Sequence, residues 1–146
     1  MGQTKGIYFE AKTTVEPVQV ISLGRAFSQT ETSSGEREKA LKRDMQSAEI
    51  HNDRGVTYGE KGEDDLAISE FNKALEIYPM SAETYNNRGI TYSKKGRYDL
   101  AISDFTKSLE IKPDAKTYYN RGITYSKKGQ YDLAISDFTK SLEIRP

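Results

Sequence analysis

No cysteine and only one histidine, His51, occur among the 146 residues of this chain, and its 22 basic side chains are balanced by 22 acidic ones. The first absence excludes disulfides and thiolate chemistry. The second leaves no partner with which an imidazole could share a metal ion or orient a nucleophile, so His51 reads as a packed or partly exposed ring. Electrical balance removes the bulk attraction that would draw a protein to nucleic acid or to an anionic membrane. No apolar run approaches the length of a membrane span, and the opening MGQTKGIYFEAK is too polar for a signal sequence. It also lacks the Ser or Thr that myristoylation expects at the sixth position. A cytoplasmic protein without nucleic-acid or membrane partners is the expectation. Phosphate cradles and calcium loops are missing too: KKGRYD and KKGQYD read as helix stops, and Glu63, Asp64 and Asp65 read as the acidic start of a helix. With no catalytic constellation in view, neither an enzyme nor a cofactor or metal site is expected.

What the chain does contain is repetition. Residues 85–113 and 118–146 differ at 3 of 29 positions, and residues 48–79 match 82–113 at 20 of 32. The glycines Gly55, Gly89 and Gly122 follow one another at intervals of 34 and 33 residues. A period of this size marks a stacked helical array, in which each unit buries its apolar face against its neighbours. In the second copy Tyr85, Gly89 and Tyr92 share one helix face, and SKKG ends that helix, with Gly96 taking the left-handed conformation, as Gly62 and Gly129 do in the other copies. A second helix follows at once. Its stripe of Leu100, Ala101, Phe105, Leu109 and Ile111 predicts burial, with Ser103, Asp104, Lys107 and Glu110 mostly toward water, until Pro113 forbids continuation. Each copy is therefore expected to be an antiparallel helical hairpin.

A glycine in mid-helix costs roughly 1 kcal/mol relative to alanine. Close contact of Gly55, Gly89 and Gly122 with Ala67, Ala101 and Ala134 is expected to offset it, with Tyr58, Tyr92, Tyr125 and Phe71, Phe105, Phe138 filling the flanks. Asp64 replaces the tyrosine of the later copies (Tyr98, Tyr131), so the first hairpin is expected to be the least tightly packed.

An aromatic or histidine (His51, Tyr85, Tyr118), the glycine, a tyrosine, an alanine, a phenylalanine, a small residue (Ala74, Ser108, Ser141) and a proline (Pro79, Pro113, Pro146) recur in fixed order. In these residues the chain resembles the tetratricopeptide repeat family, in its bacterial-type asparagine-arginine-glycine variant, with repeats at 48–81, 82–114 and 115–146. The resemblance implies an all-α fold, an α-α superhelix, and a non-catalytic interaction module that binds an extended peptide or a helix of another protein on its concave face. The groove residues it implies are Asn52, Asp53, Val56 and Glu60 in the first repeat, Asn86, Asn87, Ile90 and Lys94 in the second, and Tyr119, Asn120, Ile123 and Lys127 in the third. Asn87 and Asn120 stand where some members, such as O-linked sugar transferases, carry an asparagine ladder for a peptide backbone. A solvated groove amide or an inter-repeat hydrogen bond is an equal reading, and Asp53 breaks the ladder. The clamp for chaperone carboxylate tails needs lysine, asparagine, asparagine, lysine and arginine. This chain offers Asn52, Val56, Asn87, Lys116 and Asn120, and the loss of two cations argues against that ligand. Arg54, Arg88 and Arg121 depart from the family's usual leucine. Each is expected either to pair with an acid on its own second helix (Glu70, Asp104, Asp137) or to snorkel to solvent.

The ends lie outside the repeat. Ile7, Tyr8 and Phe9, then Val18, Val20, Ile21 and Leu23, suggest two short strands of a possible β-hairpin within an N-terminal extension over 1–34, with QTETSSG as a linker. Ser33 and Glu36 offer a capping box for a helix over 35–47 that covers the first repeat. At the other end the expectation is that further repeats follow Pro146, or that Ile135, Phe138 and Leu142 present an apolar edge to a partner. The copies also form a charge gradient, with 3 basic and 8 acidic residues in 48–81, 6 and 5 in 82–114, and 6 and 3 in 115–146. Drift of surface charge explains such a gradient. So does the alternative function, a structural self-assembly unit and homo-oligomer that joins end to end.

Overall fold

The computed structural model describes residues 17–144, with side chains from residue 33 onward. Every regular element among them is an α-helix: α1 Pro17–Glu60, α2 Asp64–Ile77, α3 Ala82–Lys94, α4 Tyr98–Ile111, α5 Ala115–Lys127 and α6 Tyr131–Ile144. The chain divides into two compact units, Met1–Ala40 and Leu41–Pro146. Of the first, the described residues belong to the N-terminal part of α1. The second unit is a row of three hairpins: the last turns of α1 with α2, α3 with α4, and α5 with α6. Successive hairpins stack through α2 on α3 and α4 on α5, which makes this unit an all-α solenoid.

Local chemistry sets the hairpin boundaries. Gly62, Gly96 and Gly129 have φ of 79°, 72° and 79°, a region that other residues enter only with strain. In the third copy Gly129 N donates to Ser126 O at 3.0 Å and Gln130 N to Tyr125 O at 2.9 Å, the paired closure that satisfies the last carbonyls of α5. The same pair closes α3, from Gly96 to Ser93 and from Arg97 to Tyr92. At the start of α3 the Ser81 hydroxyl accepts from Thr84 N, and at the start of α5 the Asp114 carboxylate accepts from Thr117 N. Ser108 and Ser141 tie the returning helix to the first turn of its partner, donating to Ala82 O at 2.7 Å and Ala115 O at 2.8 Å.

The core runs along the hairpin seams: Ala67, Phe71, Ala74, Ala101, Phe105 and Ala134 are buried. Two packing expectations need correction. A Cβ built on Gly55, Gly89 or Gly122 would lie 2.5, 2.8 or 2.7 Å from Cε1 of Phe71, Phe105 or Phe138, so each glycine seats a phenylalanine ring. The alanine is met one turn later, where a Cβ on Gly59 would lie 3.9 Å from the Ala67 Cβ. Of the predicted stripe on α4, Ala101, Phe105 and Leu109 are buried, but Leu100 is exposed because it falls at the outer edge of the stripe. Asp64 Oδ1 is buried with no hydrogen-bond partner among the described residues, a local cost in the first hairpin where later copies place a tyrosine ring.

The N-terminal expectations also change. The first suggested strand, Ile7 to Phe9, lies outside the described residues. The second, at Val18 to Leu23, is helical, and so is the suggested linker QTETSSG. Pro17 stands at the first helical position, where its fixed φ and missing N–H are tolerated. No proline separates residues 35–47 from the first repeat, and Gly35 alone does not break a run as rich in helix formers as EREKALKRDMQSAEI. The suggested capping helix is therefore continuous with the first helix of the first repeat.

Gly89→Leu is expected to overpack the Phe105 seat and destabilise the protein by about 1 to 3 kcal/mol or more in urea unfolding. Adding Phe105→Ala should cost less than the sum of the two single changes, because the removed ring is what the leucine displaces.

Candidate functional site

On the first helices of the second and third repeats, Arg88 follows Asn87 and Arg121 follows Asn120. Arg88 donates from Nε to Asp104 Oδ2 at 2.7 Å and from Nη2 to Asp104 Oδ1 at 2.8 Å, a two-pronged bond between α3 and α4. Its Nη1 reaches back to Asn72 Oδ1 on α2 at 2.7 Å. Arg121 repeats the pattern with Asp137 at 2.7 and 2.9 Å and with Thr106 Oγ1 on α4 at 2.9 Å. Tyrosine rings one turn before and after each guanidinium complete the site, with centroids 5.6 and 5.8 Å from Arg88 and 5.6 and 5.7 Å from Arg121. One planar cation thus joins three helices. Burial draws the Arg88 pKa down, but the bonds and charge of Asp104 more than reverse this, and the net shift is upward. For Arg121 the Asp137 bonds come first, burial opposes them, and the pKa again rises.

Pairing with the acid of the same hairpin therefore holds for Arg88 and Arg121, but the first repeat departs from it. Arg54 is exposed, and Glu70 is held instead by His51 Nδ1 at 2.7 Å and Lys73 Nζ at 2.6 Å. The imidazole takes the place of a stacking tyrosine and supplies a polar contact of its own, so the carboxylate is satisfied without the arginine. The Lys73 hydrogen bond, then that of His51, lowers the Glu70 pKa against a smaller opposing effect of burial.

The expected groove residues fall into three groups. Asn52 and Asn86 are buried and link repeats: Asn87 Nδ2 donates to Asn52 Oδ1, and Asn120 Nδ2 to Asn86 Oδ1, both at 3.2 Å. Asn52 Nδ2 also reaches Glu83 Oε1 at 3.4 Å. Asn87, Asn120, Val56, Ile90 and Ile123 are half-buried. Asp53, Glu60, Lys94, Tyr119 and Lys127 are exposed. Each of Asn87 and Asn120 spends one N–H on a neighbouring repeat and keeps its carbonyl oxygen and second N–H. Between α3 and α5 lies an open pocket of about 170 Å³, floored by Phe105, Ile90 and Ile123 and rimmed by Asn120, Lys94 and Lys127. Lys94 Nζ contacts Gly59 O at 3.4 Å, and neither lysine has an acidic partner among the described residues. Sequence reasoning missed the wall of this pocket, where Ser93 Oγ meets Thr124 Oγ1 at 3.0 Å inside the inter-repeat seam. The available signal was a hydroxyl recurring at each of two positions, Thr57, Thr91 and Thr124 at one and Ser93 and Ser126 at the other.

A tetratricopeptide repeat model matches residues 46–114 and 80–146, so that together the two matches cover most of the chain. The chain belongs to the tetratricopeptide repeat family. Among solved structures of similar fold, a MamA crystal structure superposes with a TM-score of 0.64 at 31% identity, over 68% of this chain and 58% of that one. This protein thus spans little more than half of that relative. The second TPR of Spaghetti (RPAP3), bound to HSP90 peptide SRMEEVD, gives a TM-score of 0.74 at 23% identity, over 78% of this chain and 99% of that one. The Arabidopsis OM64 TPR domain gives 0.69 at 23%, over 70% and 86%. No curated protein matches the chain in sequence. In this tetratricopeptide repeat protein no helix among the described residues is long and apolar enough to cross a membrane, and they hold no cluster of His, Asp or Glu suited to a metal ion.

Asp137→Leu leaves the half-buried Arg121 cation without its counter-charge and is expected to destabilise the protein by about 3 kcal/mol in urea unfolding. Arg54→Ala, at an exposed site, should change stability by no more than about 0.5 kcal/mol. Because the Glu70 pKa is lower folded than unfolded, its contribution is present above the unfolded carboxylate value of about 4 and is lost as pH falls through the folded value. Urea midpoints of Glu70→Gln should therefore fall less steeply on acidification than those of the wild type.

Proposed function

We propose that residues 48–146 form a non-catalytic protein-interaction module, with the face made by α3, α5 and the last turns of α1 as the groove for an extended peptide or a partner helix. The observation that carries this reading is the open pocket between α3 and α5, where an apolar floor lies beside the Asn120 amide, which spends one N–H on Asn86, and two lysines without acidic partners among the described residues. Apolar pockets give a ligand contact area, and amides that both donate and accept can fix the register of a peptide backbone. The peptide held by the Spaghetti relative lends the same reading support by analogy. That ligand itself does not suit this chain: Asn52 and Asn120 stand where the chaperone clamp has cations, and both are engaged in bonds between repeats. A cytoplasmic setting fits a module of this kind.

A second reading, an assembly unit joined end to end, is favoured by the outer face of α6. Leu142 is 65% exposed, whereas its equivalent Leu109, covered by the next hairpin, is 7% exposed.

Peptides selected from a random display library on the immobilised protein are expected to lose at least about tenfold in affinity on Ile123→Asp, and several-fold on Asn87→Ala with Asn120→Ala, by calorimetry. The SRMEEVD peptide should not compete with them. Selected peptides that bind all three variants as tightly as the wild type would overturn the groove reading.

A further inference from the structure

The two stacking interfaces inside the second unit use the same contacts at equivalent positions. Lys95 pairs with Asp65, and Lys128 pairs with Asp99. Arg88 reaches Asn72 across the first interface, and Arg121 reaches Thr106 across the second. Thr124 Oγ1 meets Ser93 Oγ, and Thr91 Oγ1 lies 4.0 Å from a Cβ built on Gly59. One repeat further on, the acceptors in this register are Asp132, Thr139 and Ser126 on α5 and α6. One repeat back, the matching donors are Lys61, Arg54 and Thr57, at the end of α1 and just beyond it. All three donors are exposed, and neither Lys61, Arg54 nor Asp132 has an ion-pair partner among the described residues.

The apolar surfaces match as the polar ones do. Ile135 and Leu142 are 63% and 65% exposed on α6. On α1, Ile50 is 49% exposed at the position where Thr84 and Thr117 are buried by the preceding hairpin. The charges oppose: 3 basic and 8 acidic residues in the first repeat against 6 and 3 in the third. An isologous pairing of two α6 faces would bring two net-basic repeats together.

Resting on the end-to-end reading, we propose that the α5–α6 face of one copy receives residues 48–61 of a second copy in the register of the internal stacks, with Lys61 on Asp132 and Arg54 on Thr139. Such an interface is heterologous. It joins unlike surfaces, so copies add in a row instead of closing as a symmetric pair.

Sedimentation velocity of the full chain across concentration, at low and high salt, tests the proposal. Mass should rise with concentration and fall with salt. Ile135→Asp should leave a monomer with an unchanged helical circular dichroism spectrum. Lys61→Asp and Asp132→Lys should each weaken association about tenfold alone, and the two variants mixed in equal amounts should recover it, because each supplies the charge the other has reversed. A wild-type chain that stays monomeric at high concentration overturns both this proposal and the end-to-end reading. Association lost on Ile135→Asp but indifferent to both charge reversals, or not recovered on mixing, overturns the register while the end-to-end reading stands.

Discussion

A hairpin of two short helices has two faces and can bury only the seam between them by itself. The rest of the second unit follows from that constraint. Leu109 and Leu142 occupy the same position in nearly identical text, yet the first is buried and the second open, because α5 covers α4 and no helix of the described chain covers α6. Stability in such an array is a sum of seams and stacking surfaces. Each interface must therefore carry its own apolar area, its own polar register and its own satisfied charges.

The arginine fork shows how these demands are met together. The glycine two-thirds of the way into a copy's first four turns seats a phenylalanine ring, which draws the second helix close. The neighbouring arginine then spans to the carboxylate of that helix while its third nitrogen crosses to the preceding repeat. A guanidinium taken largely out of water is tolerable only when its donors are satisfied and its charge is matched, and the flanking tyrosine faces complete its shell. The face made by the first helices depends on this scaffold. Because the arginines point into the seam, the asparagines before them are left to bridge repeats along the face of the first helices.

Much of this was legible in the residues. Period, hairpin boundaries and left-handed glycines are local properties, set by near-identity at fixed spacing and by the conformational freedom of Gly62, Gly96 and Gly129. The pairing of Arg88 with Asp104 and of Arg121 with Asp137 could be anticipated because opposite charges recur at one spacing in the two closest copies. Its failure at Arg54 could not, since His51 and Lys73 compete for Glu70 only once three turns of chain are set in space. Glycine against phenylalanine, in place of glycine against alanine, likewise depends on how far one helix slides along the other. The N-terminal strand expectation at Val18 to Leu23 rested on β-branched composition, and a proline-initiated helix accommodates those residues equally well.

The sequence by itself determined the hairpins and their family, because helix periods, stops and repeat spacing are properties of neighbours along the chain. Only the tertiary structure decided how the asparagines bridge repeats, which arginines enter the seam, and which leucine is covered. Those outcomes turn on how the helices pack against one another, which the chain order alone does not fix.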